Sequence, residues 1–148
     1  MREVVFALEF RGRASPVPGA ERRRQARSTA PSQRLSTVLG PEGVRAAGEV
    51  LAGESAVLES RVERFGDGSF VEDGTITYGS AGRIQFETIR RGWVAPAPRA
   101  GWMIGGVVWT ITGGDGAFVG VRGLITSNFT VSEEGQVIDH HVTRLYLA

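Results

Sequence analysis

The chain has no cysteine and no lysine among its 148 residues, and only two histidines. Without cysteine there is no disulfide scaffold, no thiolate nucleophile, no iron–sulfur cluster and no Cys-based zinc site. Without lysine there is no Schiff-base chemistry, which removes pyridoxal-phosphate and amine-type aldol mechanisms. The P-loop lysine of nucleotide hydrolases is missing as well. No apolar run approaches the roughly 18–20 residues of a membrane helix, and Met1-Arg2-Glu3-Val4-Val5-Phe6 does not read as a secretory leader. These absences lead us to expect a soluble, cytoplasmic protein with no membrane partner. A chain of this length builds a core without covalent staples.

What is present is period-two alternation broken by glycine turns, the mark of antiparallel strands. Residues 3–10 place Val4, Phe6, Leu8 and Phe10 on one face, and residues 55–65 place Ala56, Leu58 and Val62 opposite Glu59, Arg61 and Glu63. Gly66-Asp67-Gly68 then returns the chain into 69–79, and an Asp-Gly turn between alternating runs is a strong hairpin signal because it needs positive φ. Further strands are expected over 83–91, 103–112, 117–129 and 136–147, with a shorter one near 44–51. The fold class is therefore all-β: one domain over 1–148, a small closed antiparallel barrel of about eight strands. Pairing of the first strand with the last removes the exposed edges.

Two segments break the pattern. Residues 11–41 carry seven arginines, one acid and four prolines, and the remainder carries ten arginines against fifteen acids. We read 11–41 as an inserted Arg/Pro-rich loop. Its cluster Arg22-Arg23-Arg24 with Arg27 suits an acidic partner, yet the segment has no aromatic residue on which a base could stack. No nucleic acid is expected. Residues 92–102, with Pro96, Pro98, Trp93 and Trp102, read as a flap over one barrel end.

Motifs for cofactors are weak. Gly114-Asp115-Gly116 lacks the spacing and the following helix of a phosphate loop. His140 and His141 are adjacent on a strand and point to opposite faces, so they do not chelate one metal. No metal and no cofactor are expected. The sequon Asn128-Phe129-Thr130 means little without a leader. More informative are the polar residues that share parity with large apolar ones: Glu72 and Tyr78; Trp109; Arg122 and Asn128; His140, Arg144 and Tyr146. A sealed core does not tolerate so many polar groups, whereas a barrel holding a ligand does.

The stretch from Gly68 to Tyr146 resembles bacterial members of the allene oxide cyclase-like barrel superfamily, which includes the dirigent proteins. The resemblance is carried by Gly74-Thr75-Ile76-Thr77-Tyr78-Gly79 and by the run from Ile111 to Gly123, with Gly113-Gly114, Gly116, Phe118, Gly120 and Gly123 in the pattern I-x-G-G-x-G-x-F-x-G-x-x-G. It implies an eight-stranded antiparallel barrel, assembly into a homodimer or homotrimer, and either cofactor-free cyclisation or the steering of a reactive intermediate. Such a signature transfers fold and not activity.

The expected function is a cofactor-free isomerase or cyclase acting on a hydrophobic, polyketide- or lipid-derived small molecule in specialised metabolism. His140 or Tyr146 would donate a proton and Asn128 would orient the substrate. Trp109, Tyr78 and Glu72 would line the pocket, Arg122 or Arg144 would hold an anionic group, and Trp93 would close it with Trp102. The same cavity serves a non-catalytic carrier or sensor equally well. A third reading makes the arginine segment the binding surface of a structural module.

Overall fold

Eight of the eleven strands in the computed structural model, which describes residues 1–148, close into one antiparallel barrel. The strands are β1 (Arg2–Val17), β2 (Ala20–Ala30), β3 (Gln33–Gly40), β4 (Gly43–Val50), β5 (Ala56–Arg64), β6 (Ser69–Tyr78), β7 (Arg83–Thr88), β8 (Gly92–Pro96), β9 (Trp102–Gly114), β10 (Arg122–Ser132) and β11 (Gln136–Leu147). The wall runs β1-β2-β5-β6-β7-β9-β10-β11, and β11 returns to β1 along Arg2↔Leu147 to Arg13↔Gln136. This is the closed barrel expected from the alternation, with first and last strands paired so that neither leaves a long edge. No helix is long and apolar enough to cross a membrane.

β7 and β8 share one position in the wall. β7 bridges β6 and β9 at one end, and β8 bridges the same two strands at the other. The break falls at 89–91, where Arg90 has φ 60°, a conformation costly for a non-glycine residue. Residues 92–102 are thus mostly a wall strand followed by a turn. The flap expected there is not formed, and Trp93 points outward at 58% exposure.

The larger correction concerns residues 11–41, which are strand and not loop. β1 runs on to Val17, Gly19 turns with φ 75°, and β2 takes the wall position expected for residues 44–51. β2 carries no hydrophobic alternation because its inward residues are small: Ala26, Ser28 and Ala30. Its outward arginines sit opposite acids, with Arg23↔Glu63 and Arg27↔Glu59 in register on β5, a favourable cross-strand arrangement. Pro16 lies at the end of β1, Pro18 forms the hairpin turn with Gly19, and Pro31 lies where the chain leaves the wall. Residues 44–51 fall largely in β4, which pairs only with β3 in a two-stranded arm outside the barrel.

Glycine at two inward positions lets the wall coil. A Cβ on Gly12 would lie 2.0 Å from the Arg27 carbonyl oxygen, and one on Gly74 would lie 2.2 Å from that of Glu59. Neighbouring backbones approach too closely there for any side chain. Beyond them the interior is filled by Phe10, Ile76, Ile84, Phe86, Trp109 and Ile125, all essentially buried, with Trp109 stacked on Phe86 at 4.1 Å between ring centres.

Candidate functional site

The inward positions of β6, β5, β2, β10 and β11 bring a second set of side chains together, and this set is polar. Glu72 enters from β6 and Asp139 from β11, and both line a cavity of about 70 Å³. Each carboxylate has a serine donor on the neighbouring strand. The Ser60 hydroxyl donates to Glu72 Oε2 at 2.6 Å, and the Ser127 hydroxyl donates to Asp139 Oδ1 at 2.6 Å. His141, two residues along β11 and so on the same face, meets the other Asp139 oxygen through Nε2 at 2.8 Å. Its ring is wedged between Phe10 and the edge of Trp109, at 4.5 and 5.0 Å, while Nδ1 is buried without a partner. Thr88 fixes the strand beneath Glu72, accepting from its backbone N–H and donating to its carbonyl, both at 2.7 Å.

These surroundings change the acid. Burial, reinforced by the negative charges of Asp139 and Asp73, pushes the Glu72 carboxyl from its ordinary 4.5 up to about 8, against the opposing effect of the Ser60 hydrogen bond. At neutral pH Glu72 is therefore mostly a neutral carboxylic acid, able to donate a proton. Two carboxyl groups on different walls of one cavity, one of them held protonated, form an acid–base constellation.

Arg24 on β2 and Arg64 on β5 line the same cavity. Arg24 Nε is buried with no hydrogen-bond partner, and neither guanidinium forms an ion pair. Burial and the charge of Arg24 lower Arg64 from its ordinary value. Two uncompensated, half-buried cations side by side favour an anion between them.

The expected site residues divide cleanly. Glu72, Tyr78 and Trp109 point into the barrel, but Trp109 is fully packed in the core and Tyr78 lies at the opposite end, where burial raises its hydroxyl above its ordinary value. His140, Asn128, Arg122 and Arg144 point outward, contrary to expectation, and so does the half-buried Tyr146 by its place in the alternation. His140 is exposed and meets only Glu9, at 3.1 Å, while Arg144 pairs with Glu3 on the outer surface. The reason is register. The 3-10 turn Gly116–Phe118 and the positive φ of Gly120 interrupt the alternation before β10 begins at Arg122, so counting from Ala117 lands on the wrong face. On β11 the two faces are close to balanced in polarity: the inward one reads Val137, Asp139, His141, Thr143, Leu145 and Leu147 and the outward one Gln136, Ile138, His140, Val142, Arg144 and Tyr146, so alternation does not choose between them.

Sequence reasoning thus missed Asp139, His141, Ser127, Ser60, Arg24 and Arg64. Signals existed on two strands: Ala56, Leu58 and Val62 make the even parity of β5 the apolar one, which places Ser60 and Arg64 inside, and Ile125, Phe129 and Val131 make the odd parity of β10 the apolar one, which places Ser127 inside. A small closed barrel with an open cavity is the architecture of ligand-binding barrels in general. No family model, curated protein or solved structure matches the chain.

Proposed function

We propose that the barrel binds a small molecule with an anionic group and an apolar body, and isomerises or cyclises it by proton transfer without a cofactor. The observation that carries this reading is the meeting of Glu72 and Asp139 in one cavity bounded by the unpaired Arg24 and Arg64. The anionic group sits at the arginines. Asp139 removes a proton from a carbon next to a carbonyl, breaking the C–H bond. Glu72 delivers its proton to the carbonyl oxygen, forming an enol; the protonated Asp139 then gives its proton to another carbon of the conjugated system while the enol hydroxyl returns its proton to Glu72, which restores both groups. His141 and Ser127 hold Asp139 in place throughout. A cavity of about 70 Å³ accommodates only a compact reacting portion. The chain of a longer polyketide- or lipid-derived molecule therefore extends through the mouth.

The test is deuterium exchange in D2O, followed by NMR, across a panel of keto- and enone-carboxylates. Exchange at the α-carbon by the wild type, lost in Asp139→Asn and weakened through KM in Arg24→Gln, supports the proposal. Saturable binding without exchange makes the protein a carrier instead. Absence of both removes the cavity as the functional site.

A further inference from the structure

The β3–β4 arm has an amphipathic pattern that the barrel leaves unused. Its register pairs Leu35 with Gly48, Thr37 with Ala46, Leu39 with Val44 and Gln33 with Val50, which sets these side chains on one face. The other face carries the Arg34–Glu49 ion pair at 3.4 Å and Val38 opposite Arg45. Leu39, Val44 and Val50 are 76%, 68% and 72% exposed. A two-stranded hairpin alone is marginal in water, and an apolar face of this continuity marks an association surface.

The arm's own barrel does not cover it. The chain leaves the wall at Pro31, and the Gln33 side chain takes up the Glu9 backbone N–H at 2.8 Å and its carbonyl at 3.3 Å, which anchors the root of the arm. Past that point β1 is its only appreciable neighbour.

The barrel presents an apolar surface of its own. Ala7, Val142, Thr126 and Val108 align in register across the outside of β1, β11, β10 and β9. Val5 and Leu124 border that row on either side of Arg144, whose charge Glu3 takes up, Ile89 borders it at Val108, and Val142 and Val5 are 53% and 50% exposed.

We infer that the two surfaces meet between two copies of this chain, each laying its arm, apolar face down, across the outer β1–β11–β10–β9 wall of the other. Charge gives no reason for a different partner, because the arm carries Arg34 and Arg45 against Glu42 and Glu49. Area favours the reciprocal arrangement. Strand rise and spacing give an arm of this length a footprint of roughly 270 Å². Counted on both partners for both arms, the exchange hides about 1,100 Å², against the roughly 1,000 Å² that a specific interface needs. One arm against another hides only about half of that.

Sedimentation equilibrium of the full chain tests this. The wild type is expected to be a dimer in the micromolar range. Leu39→Asp on the arm and Val142→Asp on the wall should each raise the dissociation constant roughly tenfold or more. The near-ultraviolet signal of the buried Trp109 should be unchanged, because both sites lie outside the core. A monomeric or trimeric wild type overturns the inference, and so does a dimer indifferent to Leu39→Asp. A dimer broken by Leu39→Asp but not by Val142→Asp overturns the wall as the seat of the arm.

Discussion

Replacing Glu72 by glutamine keeps the shape of the side chain and an acceptor for the Ser60 hydroxyl while removing the titration. In the wild type the carboxyl titrates near 4.5 when unfolded and at about 8 when folded. Below the lower value both states hold the proton. Between the two values only the folded state does, so the native chain binds more protons than the unfolded one and stability falls as pH rises. Above about pH 8 both states are ionised and the penalty is complete. A shift of this size corresponds to about 4–5 kcal/mol, a large share of the roughly 5–15 kcal/mol that holds a domain folded. Glutamine never ionises. Glu72→Gln should therefore match the wild type near pH 5 and exceed it by about 3–4 kcal/mol at pH 8.5. Urea unfolding followed by tryptophan fluorescence, at constant ionic strength, measures this directly. Other titrating groups are common to both proteins, so the difference curve isolates Glu72. A difference that stays flat from pH 5 to 8.5 refutes the reasoning, because Glu72 would then keep an ordinary carboxyl in the folded barrel.

Three further substitutions separate the core and the outer surface from the site. Trp109→Ala removes a fully buried ring stacked on Phe86 and edge-on to His141; thermal unfolding should show a loss of about 3–5 kcal/mol, and a much smaller loss would mean that the ring borders open space. His140→Ala should change stability by less than about 1 kcal/mol and leave ligand binding intact, whereas His141→Ala, which strips the buried Asp139 of a partner, should cost about 1–3 kcal/mol in the same unfolding assay.

Much of the fold could be read from the sequence where one face of a strand is apolar and the other charged. The Gly66-Asp67-Gly68 turn behaves as its composition demands: both glycines have positive φ, and Asp67 accepts from the Ser69 backbone N–H at 2.9 Å. The inward parity of β6, and with it Glu72, followed from the same alternation. β2 escaped because alternation between alanine or serine and arginine carries little hydrophobic contrast, and because three prolines near its ends resemble loop punctuation. The eight-strand count was right while one of its members was wrong: residues 44–51 alternate well enough, but in an arm and not in the wall.

The misread parity of β11 has a different cause, and that cause bears on function. Parity is assigned on the assumption that the more apolar face points inward. β11 offers no such contrast, since it turns Asp139, His141 and Thr143 into the barrel beside Leu145 and sets Val142 out to solvent, at 53% exposure, between His140 and Arg144. Burying an aspartate and a histidine costs free energy unless they are paired, and here each is paired with the other. Exposing Val142 beside Val108 brings no compensation in a lone barrel. In the proposed function the polar groups serve as a site within, and in the proposed dimer the apolar row serves as a contact without. The strand on which alternation misleads is therefore the one that carries an acid of the proposed site on its inner face and the proposed seat of the second copy's arm on its outer face.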